Sequence, residues 1–560
     1  MERKKKADIA DQFQKNDEAN KTYAALAVAL VCAVIGLPMW WLTTTTYRAN
    51  LPYSQIEQLA KSKISVVVPT DVWLCLDQKQ SRDTQLYRKL EQKLSLGIVR
   101  LGDLSIQYKI SLNECSGKTA HILSKSKTLK DFDMALTSNQ NEEEMAQPKL
   151  GKSDVYILSE QLFNSSSTIL SQKRRGYVKF EQDLDNTVAF VMQLIREVFT
   201  NERLIVKSHL TSKQSANSQD DIDSMRALRS KPGYELSFNL LNPDPASIHY
   251  TWDIASGVQS YLQPFLDKLS EFADFGVESQ VLYYSKLAVQ PRKSGIDNSY
   301  ILPYEHLAHV INPIEARLGS HISTNPDLNF IVYLPTKSQS PLYVMDAHDN
   351  RSLFNAFLSP RWGGVLVYNT PENVEDKSER DPLKVDMQYV MEVFVGQLRL
   401  LLGIPAQNAD MFLQEEKNSA ITDWEVDVLF RTKTLENIAT ASSTLTSLSQ
   451  LLGKISNMVI KDNVAKEVYS AVETIQLSER FLAEGNVYRA FHASKKAIQT
   501  AEEAFFDSSL LELLYFPEDQ KFAIYIPLFL PIMLPIVSSF YKSVRWLRSR
   551  NNDSSKEKHD

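Results

Sequence analysis

Two Gly-Lys-Ser/Thr triplets, Gly151-Lys152-Ser153 and Gly117-Lys118-Thr119, invite a phosphate-binding reading, because a P-loop wraps phosphate with backbone N–H groups and a lysine. Such a loop needs a further glycine five residues earlier, and Ala146 and Leu112 stand there. Lys152 also precedes a predicted strand, whereas phosphate must sit at a helix N-terminus. His306 and His309 share one face of a predicted helix, but no HExxH or clustered Cys/His pattern accompanies them. Asp131-Phe132-Asp133 matches only three residues of a sugar-nucleotide metal motif. No G-x-S-x-G elbow occurs, and Cys75 lies in an apolar stretch that disfavours its thiolate. These residues nominate no catalytic, cofactor-binding or metal site.

The elements that would position any chemistry begin with two uncharged runs. Phe522 to Tyr541 reads FAIYIPLFLPIMLPIVSSFY, and Tyr23 to Leu42 reads YAALAVALVCAVIGLPMWWL. Twenty residues at about 1.5 Å each span roughly 30 Å, the thickness of a bilayer's hydrocarbon core. The first run exceeds a signal peptide's apolar core and ends in Trp40-Trp41 instead of a small-residue cleavage site, which favours an uncleaved anchor. Arg3, Lys4, Lys5, Lys6, Lys15 and Lys21 precede it, and Lys542, Arg545, Arg548, Arg550, Lys556 and Lys558 follow the second run. The positive-inside bias therefore places both tails in the cytosol and the intervening body across the membrane. Pro527, Pro531 and Pro535 recur every four residues, so they line one face of the second span. Each removes a backbone hydrogen bond, and the freed carbonyls favour contact with protein or another polar partner over lipid; an ordinary kinked anchor reads the same way.

A chain of 560 residues with 43% hydrophobic content can build two or three domains. Removing the tails' twelve bases and eight acids leaves 50 and 60 in the body, a net charge of −10 that argues against nucleic acid as a partner. Of three cysteines, Cys32 lies in the first span, so Cys75 and Cys115 are the pair that a lumen could oxidise. One bridge can be drawn between them, although sequence does not fix their distance.

Within the body, Ile64–Leu76, Leu104–Leu112 and Asp154–Leu158 read as strands, with helices over Gln85–Leu96 and Val188–Phe199. Alternation resumes with strands over 234–241, 277–284, 328–334 and 364–368 and helices over 258–272 and 305–318. Thr137–Gly151 and His209–Gly233 are polar and read as mobile insertions. The expected fold is a layered α/β body with a largely central sheet. From Asp386 long helices follow. Met387–Leu402 is apolar nearly all round, Leu445, Leu448, Leu452, Ile455 and Val459 follow a 3-4 spacing, and breaks fall near Asp462 and Gly485.

Several long strings taken together resemble the PIG-S family, a subunit of the glycosylphosphatidylinositol (GPI) transamidase of the endoplasmic reticulum membrane. They are TYRANLPYS at 46–54, LLNPDP at 240–245, YLQPFL at 261–266, HVINPIEARLGS at 309–320, SPRWGGVLVYN at 359–369, TLTSLSQLLGKISNMVIKD at 444–462 and PEDQKFAIYIPLFLP at 517–531. The resemblance implies a non-catalytic subunit that needs no cofactor. Its partners would be PIG-K, the caspase-like catalytic chain, with PIG-T, PIG-U and the GPI-anchor attachment subunit. It leaves open contact with the GPI lipid or the precursor's C-terminal signal.

The expected plan is therefore a cytosolic tail (1–22), a transmembrane helix (23–42), a luminal α/β body (43–385), a luminal helical region (386–521), a second transmembrane helix (522–541) and a cytosolic tail (542–560). Asn164 and Asn350 head glycosylation sequons in the translocated part. Lys556 and Lys558 resemble the K-x-K-x-x retrieval signal of endoplasmic reticulum membrane proteins. The alternative is a membrane-anchored luminal enzyme, a hydrolase or glycosyltransferase, for which His306, His309, Asp131 and Cys75 are the residues to test.

Overall fold

The computed structural model describes residues 2–44, 47–76, 84–94, 98–144, 151–163, 166–213, 228, 230–247, 249–295, 297–318, 325–370, 383–404, 420–455, 458–511 and 518–556. It falls into two compact units. One holds Ser54–Thr444 and Ser470–Thr500; the other holds Met1–Tyr53, Leu445–Tyr469 and Ala501–Asp560.

The larger unit contains two principal sheets where the sequence suggests one largely central sheet. Across the first, the strands run Ile98–Leu101, Leu104–Glu114, Ile64–Cys75, Ser153–Leu158, Arg175–Lys179 and Thr168–Leu170; the four inner strands are parallel and each edge is antiparallel. Across the second they run Asp274–Tyr283, Gly233–Asn242, Asp327–Tyr333, Gly363–Val367 and Ala356–Ser359, parallel except for the last. Alternation of strand and helix is the same for one sheet or two, so the sequence pattern does not separate them.

The two sheets are copies of one plan. Numbered in chain order, the parallel strands of both lie 2-1-3-4, and the fourth is preceded by its antiparallel neighbour. A helix then starts behind a capping aspartate, Asp183 or Asp386, whose side chain accepts a backbone N–H of the first turn. Each helical segment ends on a left-handed residue, Asn201 at φ 51° or Gly403 at φ 81°. Phe190-Val191-Met192-Gln193-Leu194 in one and Phe394-Val395-Gly396-Gln397-Leu398 in the other place Val and Leu in the core. Under each helix lies a glycine of the fourth strand. A Cβ on Gly176 would meet Leu194 at 2.7 Å, and one on Gly364 would meet Gln397 at 1.9 Å, so the helix lies close only over bare backbone.

The three inner strands of the second sheet, Gly233–Asn242, Asp327–Tyr333 and Gly363–Val367, are mostly buried on both faces. On one face Phe238, Phe330 and Phe394 group with ring centroids 5.3–5.7 Å apart. Burying each ring stabilises the fold by roughly 1.5–3 kcal/mol. On the other, Leu307, Val310 and Ile314 pack against Ile331, Tyr333 and Val365.

Both polar stretches expected to be mobile contain ordered parts. The helix Leu129–Glu144 runs into the first, and Gly151 at its end is buried. In the second, the helix Glu202–Lys213 buries His209, and Leu228 joins the core of the second sheet. Residues 145–150 and 214–227 lie outside the described residues. Composition misled here because the polar side chains at the margins are paired inside the protein.

Candidate functional site

The helix Asp423–Lys454 carries a dense set of buried charges in its first half. Trp424, Val426, Val428, Leu429 and Phe430 point all round the axis, so no orientation leaves a solvated face. The intervening charges are buried with them and must be paired.

Its contacts with the first sheet converge on Asp427, which is 2% exposed. Arg174 donates Nε–H to Oδ2 at 2.6 Å and Nη2–H to Oδ1 at 2.9 Å, and the Gly151 N–H adds a third bond at 3.2 Å. One turn on, fully buried Arg431 donates to the carbonyls of Phe199 (2.9 Å) and Gly151 (2.7 Å). Trp424 Nε1–H and the Asp423 N–H bond to the carbonyls of Ser171 and Gln172, which lie in the loop leading to the fourth strand.

Contacts with the second sheet's layer come from the other side. Arg399, on the helix Met387–Leu402, donates to Glu425 at 2.6 Å, and Lys268 reaches both Asp423 and the Ile421 carbonyl at 2.9 Å. Lys433 donates to the Leu228 carbonyl, and Phe430 stacks on Phe491 at 4.5 Å. Burial raises the Asp423 carboxyl, but Lys268, Lys173 and Arg174 outweigh it and hold it below its ordinary value. The helix is thus a polar strut between the two copies. Sequence reasoning missed it, although apolar residues on every side of a helix that also carries charges at 423, 425, 427, 431, 433 and 436 are its signal.

The residues that invited a chemical reading have structural partners or stand apart. Lys152 pairs with Asp71 at 2.5 Å. Ser116 caps the helix Gly117–Lys125 by accepting the Thr119 N–H. Asp131 and Thr128 exchange capping bonds, while Asp133 is buried against Arg175, Ser171 and Tyr177. His306 is half-buried and His309 exposed, and no group of three metal-ligating side chains occurs among the described residues. Cys75 ends one strand and Cys115 directly follows its parallel neighbour Leu104–Glu114, with Cα atoms 5.1 Å apart and their sulfurs joined. Asn350 is exposed in a turn where Asp346 accepts its N–H. Asn164 and Lys558 lie outside the described residues, and Lys556 ends the helix Glu518–Lys556.

In the smaller unit, Ala19–Leu42 is long and apolar enough to cross a membrane, whereas the second apolar stretch is a pair of segments, Ala523–Pro531 and Met533–Trp546, bent by 50°. Trp40 meets Tyr525 and Phe529 edge-on at 6.3 and 6.2 Å. Thr22, Ala25, Ala29 and Cys32 are half-buried on the first helix, and Ser539 and Ser543 are covered on the second, small residues that allow close approach. Pro527, Pro531 and Pro535 are all exposed. In the same unit, Arg48 donates to the Leu452 carbonyl at 2.7 Å, and Tyr47 and Ala49 bracket Ile460 with backbone hydrogen bonds.

Residues 27–550 match the family model described as phosphatidylinositol-glycan biosynthesis class S protein. The chain belongs to the PIG-S family. It is 42% identical over 546 residues to a rat GPI-anchor transamidase component PIGS, covering 93% of this chain and 94% of that protein. Its identity to the human protein of that name is 41% over 557 residues, covering 96% and 97%. A GPI transamidase component of Saccharomyces cerevisiae, GPI17, is 24% identical over 544 residues, covering 93% and 91%. This PIG-S family chain is accordingly a GPI transamidase component, and the enzyme alternative yields to that reading. The bracket of Tyr47–Ala49 around Ile460 joins two of the strings that carry the resemblance.

Proposed function

We propose that this chain is a non-catalytic scaffold of the GPI transamidase in the endoplasmic reticulum membrane, supporting attachment of GPI anchors to precursor proteins. The observation that carries the reading is the strut: the buried charges of residues 423–433 are engaged in holding two α/β copies in one arrangement. Buried ion pairs contribute little net stability but fix geometry, which suits a part that presents surfaces to other subunits. In this account the body is luminal, both tails are cytosolic, and 522–541 is a second span. PIG-K supplies the catalysis, with PIG-T, PIG-U and the GPI-anchor attachment subunit as further neighbours. The Cys75–Cys115 bridge staples the first sheet, Asn164 and Asn350 carry glycans, and Lys556 with Lys558 serves retrieval. The exposed proline face gives neighbouring subunits, the lipid or the precursor's signal an intramembrane contact.

Alanine at His306, His309 or Asp131 tests the non-catalytic role. Transamidation should persist wherever the complex assembles; loss of activity in an intact complex at any one of them would contradict it. Leucine at Pro531 and Pro535 tests the membrane face, since it should impair capture of substrate or subunits while the chain itself still inserts.

A further inference from the structure

The two copies differ at one edge. In the first, the second parallel strand Leu104–Glu114 is covered by the antiparallel strand Ile98–Leu101, and the Tyr87 hydroxyl donates to the Leu112 carbonyl farther along. Its counterpart in the second copy, Asp274–Tyr283, pairs only with Gly233–Asn242 among the described residues. The Asp274 and Tyr284 N–H groups bond inward, to the carbonyls of Pro232 and Asn242. By alternation, the backbone groups of Phe275, Val277, Ser279, Val281 and Tyr283 face outward.

Protein edges are ordinarily blunted by lysine, proline, a bulge or a covering element. This ten-residue strand, DFGVESQVLY, contains neither lysine nor proline. Its rim is apolar, with Val277 37%, Tyr283 61% and Tyr284 73% exposed. One of its faces carries acids: Asp274 and Glu278 share it with Glu235 of the adjoining strand, which lies across from Gly276 and accepts an N–H of the Asn325 amide. A strand added there completes the ladder and favours Lys or Arg opposite these acids.

We infer that Asp274–Tyr283 is a docking edge for an extended, basic segment of another polypeptide of the transamidase complex, which pairs antiparallel as Ile98–Leu101 does in the first copy. The inference rests on the scaffold reading and names one surface through which the scaffold holds a partner.

Hydrogen exchange on the full-length chain tests it, comparing the assembled complex with the chain stripped of partners. The amides of Phe275, Val277, Ser279, Val281 and Tyr283 should exchange at least tenfold more slowly in the complex, while those of Asp274, Gly276 and Glu278 stay protected in both. Val277→Pro removes one outward donor and spares the inward ladder, and Glu278→Lys reverses the charge. Both should lower recovery of one partner severalfold, and Val277→Pro should do so without lowering the chain's thermal midpoint. Unchanged exchange in a complex that retains its partners would overturn this inference alone; a wild-type chain recovered without partners would overturn the scaffold reading as well. Protection traced to a second copy of this chain, by cross-linking through Ser279→Cys, would also overturn it.

Discussion

Arg174 grips Asp427 with two parallel hydrogen bonds, at 2.6 and 2.9 Å, across 253 residues of sequence. The pair joins the loop before the fourth strand of the first sheet to the strut, and Asp427 is nearly inaccessible to water. Removing one partner strands a charge in a poorly solvated place. Asp427→Ala should therefore cost about 3–5 kcal/mol. Arg174→Lys, which keeps the charge but loses the planar fork, should cost less. Thermal unfolding of the purified chain measures both, and an Asp427→Ala chain that melts with the wild type would refute a structural role for the strut.

Gly151 stands at φ 83°, with its N–H on Asp427 and its carbonyl on Arg431. A Cβ there would come within 2.9 Å of the Val487 side chain. Gly151→Ala should cost about 1–3 kcal/mol from the backbone alone, and more from the clash. Adding Val487→Ala should recover the clash but not the backbone term, so the double-mutant cycle should be non-additive. Strict additivity in melting experiments would mean that the two positions do not touch.

The Cys75–Cys115 bridge closes a separation of 40 residues. On the chain-entropy model such a loop constrains the unfolded state by about 4 kcal/mol. Cys75→Ser, Cys115→Ser and the double variant should lose similar stability, and reduction should abolish the difference from wild type. A single variant as stable as the oxidised protein would show that the bridge does not contribute.

Burial lowers His209, which is 2% exposed, below the ordinary histidine value even though its Nε2 meets the Asp103 carboxylate at 3.1 Å; burial also lowers His492, where Glu271 opposes the shift and Lys495 adds to it. A lowered folded pKa means that the unfolded chain binds protons first, so stability is complete above about 6.5 and falls as pH drops toward the folded values. The thermal midpoint should fall between pH 7.5 and 5.5, and His209→Gln should flatten that slope. A midpoint that rises on acidification would reverse the assignment.

The sequence made the elements legible because their patterns are local. The apolar run of Ile64–Cys75, the alternation of Leu104–Glu114 and the all-round apolar surface of Met387–Leu402 each fall where structure follows. The pairing of the copies was not legible, since the shared Phe-Val-x-Gln-Leu string is short and the two connections between strands differ in length. The strut was hidden for another reason: Asp427, Arg431 and Lys433 look like solvated helix charges until Arg174, Gly151 and Leu228, all more than 200 residues away, supply their partners.

The scaffold account is tested most directly by isolating the tagged full-length chain in mild detergent and quantifying what accompanies it by mass spectrometry. The account predicts the remaining transamidase subunits in amounts comparable to the chain, and their joint loss in Asp427→Ala. Recovery of the wild-type chain alone, folded and without partners, would contradict it.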